Sequence, residues 1–98
     1  MAKVSRKDVY EAIDSERDYQ DRLSADRTDG REHAVGEYLT MLRHYLNKAD
    51  EAWTMNAGDL AALEQMRKIA GIAVRCMEDW GAPKRDLEPP HEHKCSCR

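Results

Sequence analysis

Two stretches of this chain repeat apolar residues at alternating intervals of four and three. The first is Val35, Leu39, Leu42, Leu46, Ala49 and Trp53; the second is Leu63, Met66, Ala70, Ala73, Met77 and Trp80. That alternation returns side chains to one side of an α-helix, whereas a strand alternates every second residue. A second apolar row accompanies each seam: Ala34, Tyr38, Met41, Tyr45 and Ala52 on the first helix, and Ile69, Ile72 and Cys76 on the second. At ~100° per residue the two rows widen each apolar face to roughly half the cylinder. One partner helix cannot cover so much, and three short helices leave part of it over. The expectation is an all-α, three-helix antiparallel bundle that oligomerises through these two helices.

The punctuation of the chain sets the boundaries. The first helix starts at Ser5, with Asp8 three residues on as a variant of the capping box, and runs to Leu23. Ser24 to Gly30 is small and polar throughout and reads as a loop. The second helix begins between Arg31 and His33 and ends near Met55, where Asn56-Ala57-Gly58 is a stop signal. Asp59 then caps the third, which runs to Trp80; Gly81 stops it and Pro83 prevents its resumption. The short connection at Gly58 makes the last two helices antiparallel neighbours, with Trp53 at the turn end and Trp80 near the start of the second helix, both expected in the core. Residues 1–83 therefore form one helical domain and residues 84–98 a disordered tail. Phe is absent from the 98 residues, and Thr, Val and Ile are scarce, which argues against a sheet.

Charge excludes several functions. Sixteen basic and 19 acidic residues leave a net charge of −3, so no DNA binding is expected. No apolar run approaches the ~18 residues of a membrane span, and no signal peptide opens the chain. Three Cys do not make a disulfide framework, and the default compartment is the cytoplasm. His33 and His44 lack ligand-spaced partners. His91, His93, Cys95 and Cys97 are capable metal ligands, but their spacing matches no recognised structural site and their role stays open.

The first helix carries polar residues where apolar ones belong. Its inner row is Val9, Ala12, Ile13, Glu16, Tyr19, Gln20 and Leu23. A buried carboxylate needs a donor. Arg67, at the edge of the third helix's apolar face, can supply one. Two readings stay open: a structural Glu16–Arg67 pair with Gln20 beside it, or a polar pocket inside the bundle.

At this point the chain resembles a known group. Ile13-Asp14-Ser15-Glu16-Arg17-Asp18-Tyr19-Gln20-Asp21 is similar to the Glu-Arg-x-x-Gln opening of small MazG-like proteins, many of them phage-encoded. The segments 33–39, 49–53, 63–70 and 73–78 resemble the following helices of that group, so the likeness covers roughly residues 9–82. It implies an all-α oligomer. It also implies hydrolysis of nucleoside triphosphates to monophosphate and pyrophosphate, with magnesium held by a Glu-Glu-x-x-Glu and a Glu-x-x-Asp helix. Laid on the first motif, this chain has Asn47, Lys48 and Glu51; on the second it has Gln65 and Lys68, with Glu64 one residue off register. Magnesium requires hard oxygen ligands, and two lysines repel it. Arg and Lys can instead neutralise phosphates directly.

The expectation is therefore a non-catalytic protein that binds a nucleotide or cyclic nucleotide without a cofactor, as a phage-type sponge for nucleotide signals of host defence. Its ligand-binding set is Glu16, Gln20, Asn47, Lys48, Arg67 and Lys68, with no catalytic or metal-binding residue. Two alternatives remain. One is a magnesium-dependent pyrophosphohydrolase with a rearranged acid set, Glu16, Glu51 and Glu64. The other is a helical protein-interaction inhibitor.

Overall fold

The computed structural model describes residues 3–24, 33–55 and 58–86. Three helices follow in order: α1 (Arg6–Ser24), α2 (Val35–Thr54) and α3 (Gly58–Trp80). The all-α class, the helix count and the antiparallel pairing of α2 with α3 agree with the sequence reading. Most of the loop after α1, Asn56-Ala57 and the Cys/His tail lie outside the described residues. Residues 81–86 are exposed and non-helical.

Local chemistry accounts for each end. The Ser5 hydroxyl accepts a hydrogen bond from the Asp8 backbone N–H at 3.0 Å and caps α1. Helix α2 starts two residues later than expected because the Glu37 carboxylate reaches back to the Ala34 N–H at 2.7 Å and fixes the cap there. Helix α3 starts at Gly58, which holds φ at +91°, rather than after a cap at Asp59. Asp59 instead accepts a hydrogen bond from the Trp53 indole N–H at 3.3 Å. At the other end Gly81 takes φ +126° and donates to the Met77 carbonyl at 2.8 Å, as a helix stop requires. The Trp80 indole N–H donates to the His33 carbonyl at 2.8 Å and locks the end of α3 to the start of α2.

The packing differs from expectation in one respect. Helices α2 and α3 meet through second-row residues together with Ala49 of the first seam, and most of the large seam residues turn outward. Tyr38, Ala49 and Ile72 are the buried apolar residues among those described, whereas Leu39, Leu46, Leu63, Met66 and Met77 are exposed. Trp53 and Trp80 are likewise exposed rather than core. The cause is the seat of α1, which packs on α3 and approaches α2 nowhere within 8 Å between Cα atoms. It lies against Gly71, and Met66 stands ~140° round α3 from that position at ~100° per residue.

Gly71 admits α1 because it has no side chain. A Cβ at Gly71 would lie 2.7 Å from Glu16 Cγ and 2.8 Å from Gln20 Nε2. Both residues sit on the α1 face that contacts α3, so neither can swing away freely. Gly71→Ala gains ~1 kcal/mol of helix propensity but forces this clash. We expect a net loss of about 1–2 kcal/mol, seen as a fall in Tm of about 5–15 °C. The same change in a Glu16→Ala, Gln20→Ala background should be neutral or stabilising. Equal losses in both backgrounds would place the cost elsewhere.

Candidate functional site

Among the described residues, two ion pairs tie helix α1 to α3. Glu16 is buried, and its Oε1 accepts from Arg67 Nε at 3.0 Å. Its Oε2 accepts from Gln20 Nε2 at 3.2 Å, and the same amide group reaches the Lys68 carbonyl at 3.5 Å. The Glu16–Arg67 pairing matches the sequence reading, but the burial is one-sided. The Arg67 side chain is 44% exposed against 5% for Glu16. Water therefore shares the cost of keeping the arginine charged, and the pair is weaker than a fully buried one.

The second pair was not anticipated. Arg17 is buried and donates from Nη2 to Glu78 Oε1 at 2.6 Å and to Asp21 Oδ1 at 2.9 Å. The hydrogen bond to Glu78, more than any other influence, raises the guanidinium pKa and holds it charged. The signal was weak: Arg17 stands ~100° from Glu16, just outside a half-cylinder centred on the inner row. Its place at the edge left it out of the inner row.

Because α1 touches α3 alone, a wedge opens between α1 and α2. It is a pocket of about 190 Å³, open to solvent on one side. Helix α1 lines it with Glu16, Tyr19, Gln20 and Leu23, α2 with Tyr38, Met41 and Tyr45, and α3 with Lys68, Ile72 and Arg75. The Lys68 ammonium lies 5.0 Å from the centre of the Tyr45 ring, a cation–π contact that keeps the amine at the wall. Tyr38 donates its hydroxyl proton to Asp79 and meets His33 edge-on at 5.4 Å between ring centres.

Three of the six expected ligand-binding residues, Glu16, Gln20 and Lys68, therefore stand together in the pocket wall. Arg67 bonds Glu16 but does not line the pocket. Asn47 and Lys48 are exposed on α2 and do not reach it. The sequence reading missed Arg75, which lies seven residues after Lys68 and so almost the same way round α3. Tyr19 and Leu23 were read as inner-row residues, and Tyr38, Met41, Tyr45 and Ile72 as packing rows; all face the pocket as well.

The acids of the hydrolase alternative do not assemble. Glu51 and Glu64 are exposed, and among the described residues no three His, Cys, Asp or Glu side chains are grouped to hold a metal ion. At the resembled family's second acidic motif stands Gln65, whose Oε1 is buried without a hydrogen-bond partner. A neutral amide there does not suit magnesium.

What the fold and site define is a small all-α protein of three packed helices with a polar, aromatic-lined pocket. No helix among the described residues is long and apolar enough to cross a membrane. Comparison with protein-family models, curated proteins and solved structures gives no match.

Tyr38 connects the site to pH. Burial, then the hydrogen bond to Asp79, pushes its phenol from 10.0 up to about 12. The folded state thus binds this proton more tightly than the unfolded chain does. The resulting stability is complete below pH 10 and is lost as pH rises through about 12. Urea midpoints should therefore fall more steeply between pH 10 and 12 for the natural chain than for Tyr38→Phe. Parallel slopes would show that Tyr38 ionises as freely in the fold as outside it.

Proposed function

We propose that the protein binds a nucleotide, linear or cyclic, in the α1–α2–α3 pocket and does not cleave it. The observation that carries this reading is one wall set. Two cationic side chains, Lys68 and Arg75, stand with three Tyr rings and the Glu16–Gln20 pair around about 190 Å³. That volume is below the ~300–1,000 Å³ of drug-sized sites. It suits a ring the size of a nucleobase, with sugar and phosphate toward the opening. Tyr19, 49% exposed, offers a face for stacking, worth ~1–3 kcal/mol per base, whereas Tyr38 is buried. The Glu16 carboxylate and the Gln20 side-chain carbonyl keep acceptor lone pairs for the base edge, while the Gln20 amide hydrogens are engaged by Glu16 and the Lys68 carbonyl. Lys68 and Arg75 lie ~10 Å apart along α3 at 1.5 Å per residue, on long side chains that can converge on one phosphate.

The resemblance to MazG-like proteins points to the same ligand class, and lysines at two of its acidic positions point away from its metal chemistry. A binder that keeps its nucleotide intact is suited to sequestration, and a sponge for signalling nucleotides is the role we favour. Among the described residues no set of side chains is grouped to hold magnesium, and no hydrolytic step is derived.

A thermal-shift panel of linear and cyclic nucleotides in EDTA tests the reading. A ligand at a hundred times its Kd should raise Tm by about 10 °C or more. The shift should shrink with added salt, since exposed phosphate contacts are screened. Lys68→Ala should weaken binding about 10- to 100-fold, and Lys68→Glu further, without creating hydrolysis. A silent panel, a magnesium requirement for binding, or pyrophosphate release by the natural chain would reject the proposal.

A further inference from the structure

We propose that the base held in the pocket is guanine, recognised through its N1–H and N2–H donors by the Glu16 carboxylate. The inference rests on the nucleotide reading above and names the base that the same site selects.

Several polar groups of the pocket wall have already committed their protons inside the protein. Gln20 spends both amide hydrogens there, one on Glu16 Oε2 at 3.2 Å and one on the Lys68 carbonyl at 3.5 Å. Both partners are acceptors, so they also fix which end of the amide faces them. Turned round, the Gln20 carbonyl would oppose two oxygens. Gln20 Oε1 is thereby left as an acceptor, with Arg17 Nη1 at 3.5 Å. Tyr38 gives its hydroxyl proton to Asp79 and keeps only oxygen lone pairs.

Glu16 is the strongest acceptor of this wall. Its Oε1 accepts from Arg67 Nε at 3.0 Å and its Oε2 from Gln20, one donor on each oxygen. A carboxylate has about four lone-pair sites, so about two remain for a ligand. The cations of the wall, Lys68 and Arg75, are the groups assigned above to phosphate. The edge of the base that meets Glu16 must therefore bring the protons itself.

The common bases differ in this respect. Adenine and cytosine each bring one amino group beside a ring nitrogen lone pair. Uracil and thymine bring one N–H between two carbonyl oxygens. In each case a lone pair is turned toward the carboxylate. Guanine instead sets N1–H and N2–H side by side and parallel, as the N–H groups of an arginine fork are set. Both can reach one carboxylate at once, and hydrogen bonds to a charged acceptor are roughly twice as strong as neutral ones. Burial sharpens the choice. The Glu16 side chain is 5% exposed, so little water is at hand to separate a mismatched lone pair from it.

Isothermal titration of the natural chain in EDTA reads the selection. The probes are the 5′-monophosphates of guanosine, inosine, adenosine, cytidine and uridine, with their 3′,5′-cyclic forms. The guanosine nucleotide should bind tightest. The inosine nucleotide keeps N1–H and lacks the N2 amine, and should bind about 10-fold more weakly. The other three should bind about 100-fold more weakly. Glu16→Gln should bring the guanosine-to-adenosine ratio to within about threefold, since a neutral amide can turn either a carbonyl or an amino group to the base. Lys68→Ala should weaken all five alike and leave that ratio unchanged, because phosphate is common to them. Equal affinities for guanosine and inosine nucleotides, a preference for another base, or a guanosine preference that survives Glu16→Gln would overturn the guanine assignment and leave nucleotide binding standing. No binding by any probe at millimolar concentration would overturn both. If Glu16→Gln fails to fold, the guanosine-to-inosine comparison on the natural chain decides, since it removes the donor from the ligand and leaves the protein intact.

Discussion

One buried carboxylate organises the α1 side of the molecule. Glu16 is 4% exposed and must be matched by donors wherever it is buried. Arg67 and Gln20 supply them from opposite sides, and Gly71 leaves room beneath them. Three consequences follow. Helix α1 is fixed on α3 at the level of Gly71, it is fixed by polar contacts rather than apolar burial, and it stands clear of α2. A Leu at position 16 would remove the polar match and the reason for this seat. The pocket exists because α1 commits to one helix of the pair and leaves a wedge beside the other.

The two halves of the molecule thus rest on different physics. Helices α2 and α3 close against each other through Tyr38, Ala49 and Ile72, with an indole hydrogen bond at each end. The α1–α3 contact uses Arg17–Glu78 and Glu16–Arg67, whose partners on α3 are half exposed. Pairs of that kind contribute little net stability and much orientation. A small apolar core and an orienting polar contact leave a margin that binding of a ligand to the folded state can raise by mass action.

The fold was legible because its signals are local. Ser5, Gly58 and Gly81 mark ends, and period fixes helix type over long runs. The placing of the seams was not, because period says which residues share a face but not which neighbour takes it. With α1 seated on Gly71, Leu39, Leu46, Leu63 and Met66 of the 4-3 rows are turned outward, while Tyr38 and Ile72 turn inward with Ala49. The Glu16–Arg67 pair was legible because a carboxylate in an apolar row demands a partner. Arg17 was not, because an arginine at the edge of a face is equally at home in water until Glu78 meets it. Asn47 and Lys48 were placed by resemblance to a motif, and the turn of α2 carries them away from the wedge. Arg75 needed only the seven-residue repeat from Lys68 to be found.

The central claim is that the wedge between α1 and α2 holds a nucleotide. Titration of an isotope-labelled chain with the tightest-binding nucleotide, followed by backbone amide shifts in EDTA, locates the ligand directly. Binding in the wedge predicts the largest shifts at Gln20, Tyr38, Tyr45, Lys68 and Ile72, one cluster drawn from all three helices. The outer residues Leu46, Leu63 and Met66 should stay still. Shifts concentrated on that outer face, or a spectrum unmoved at millimolar nucleotide, would contradict it.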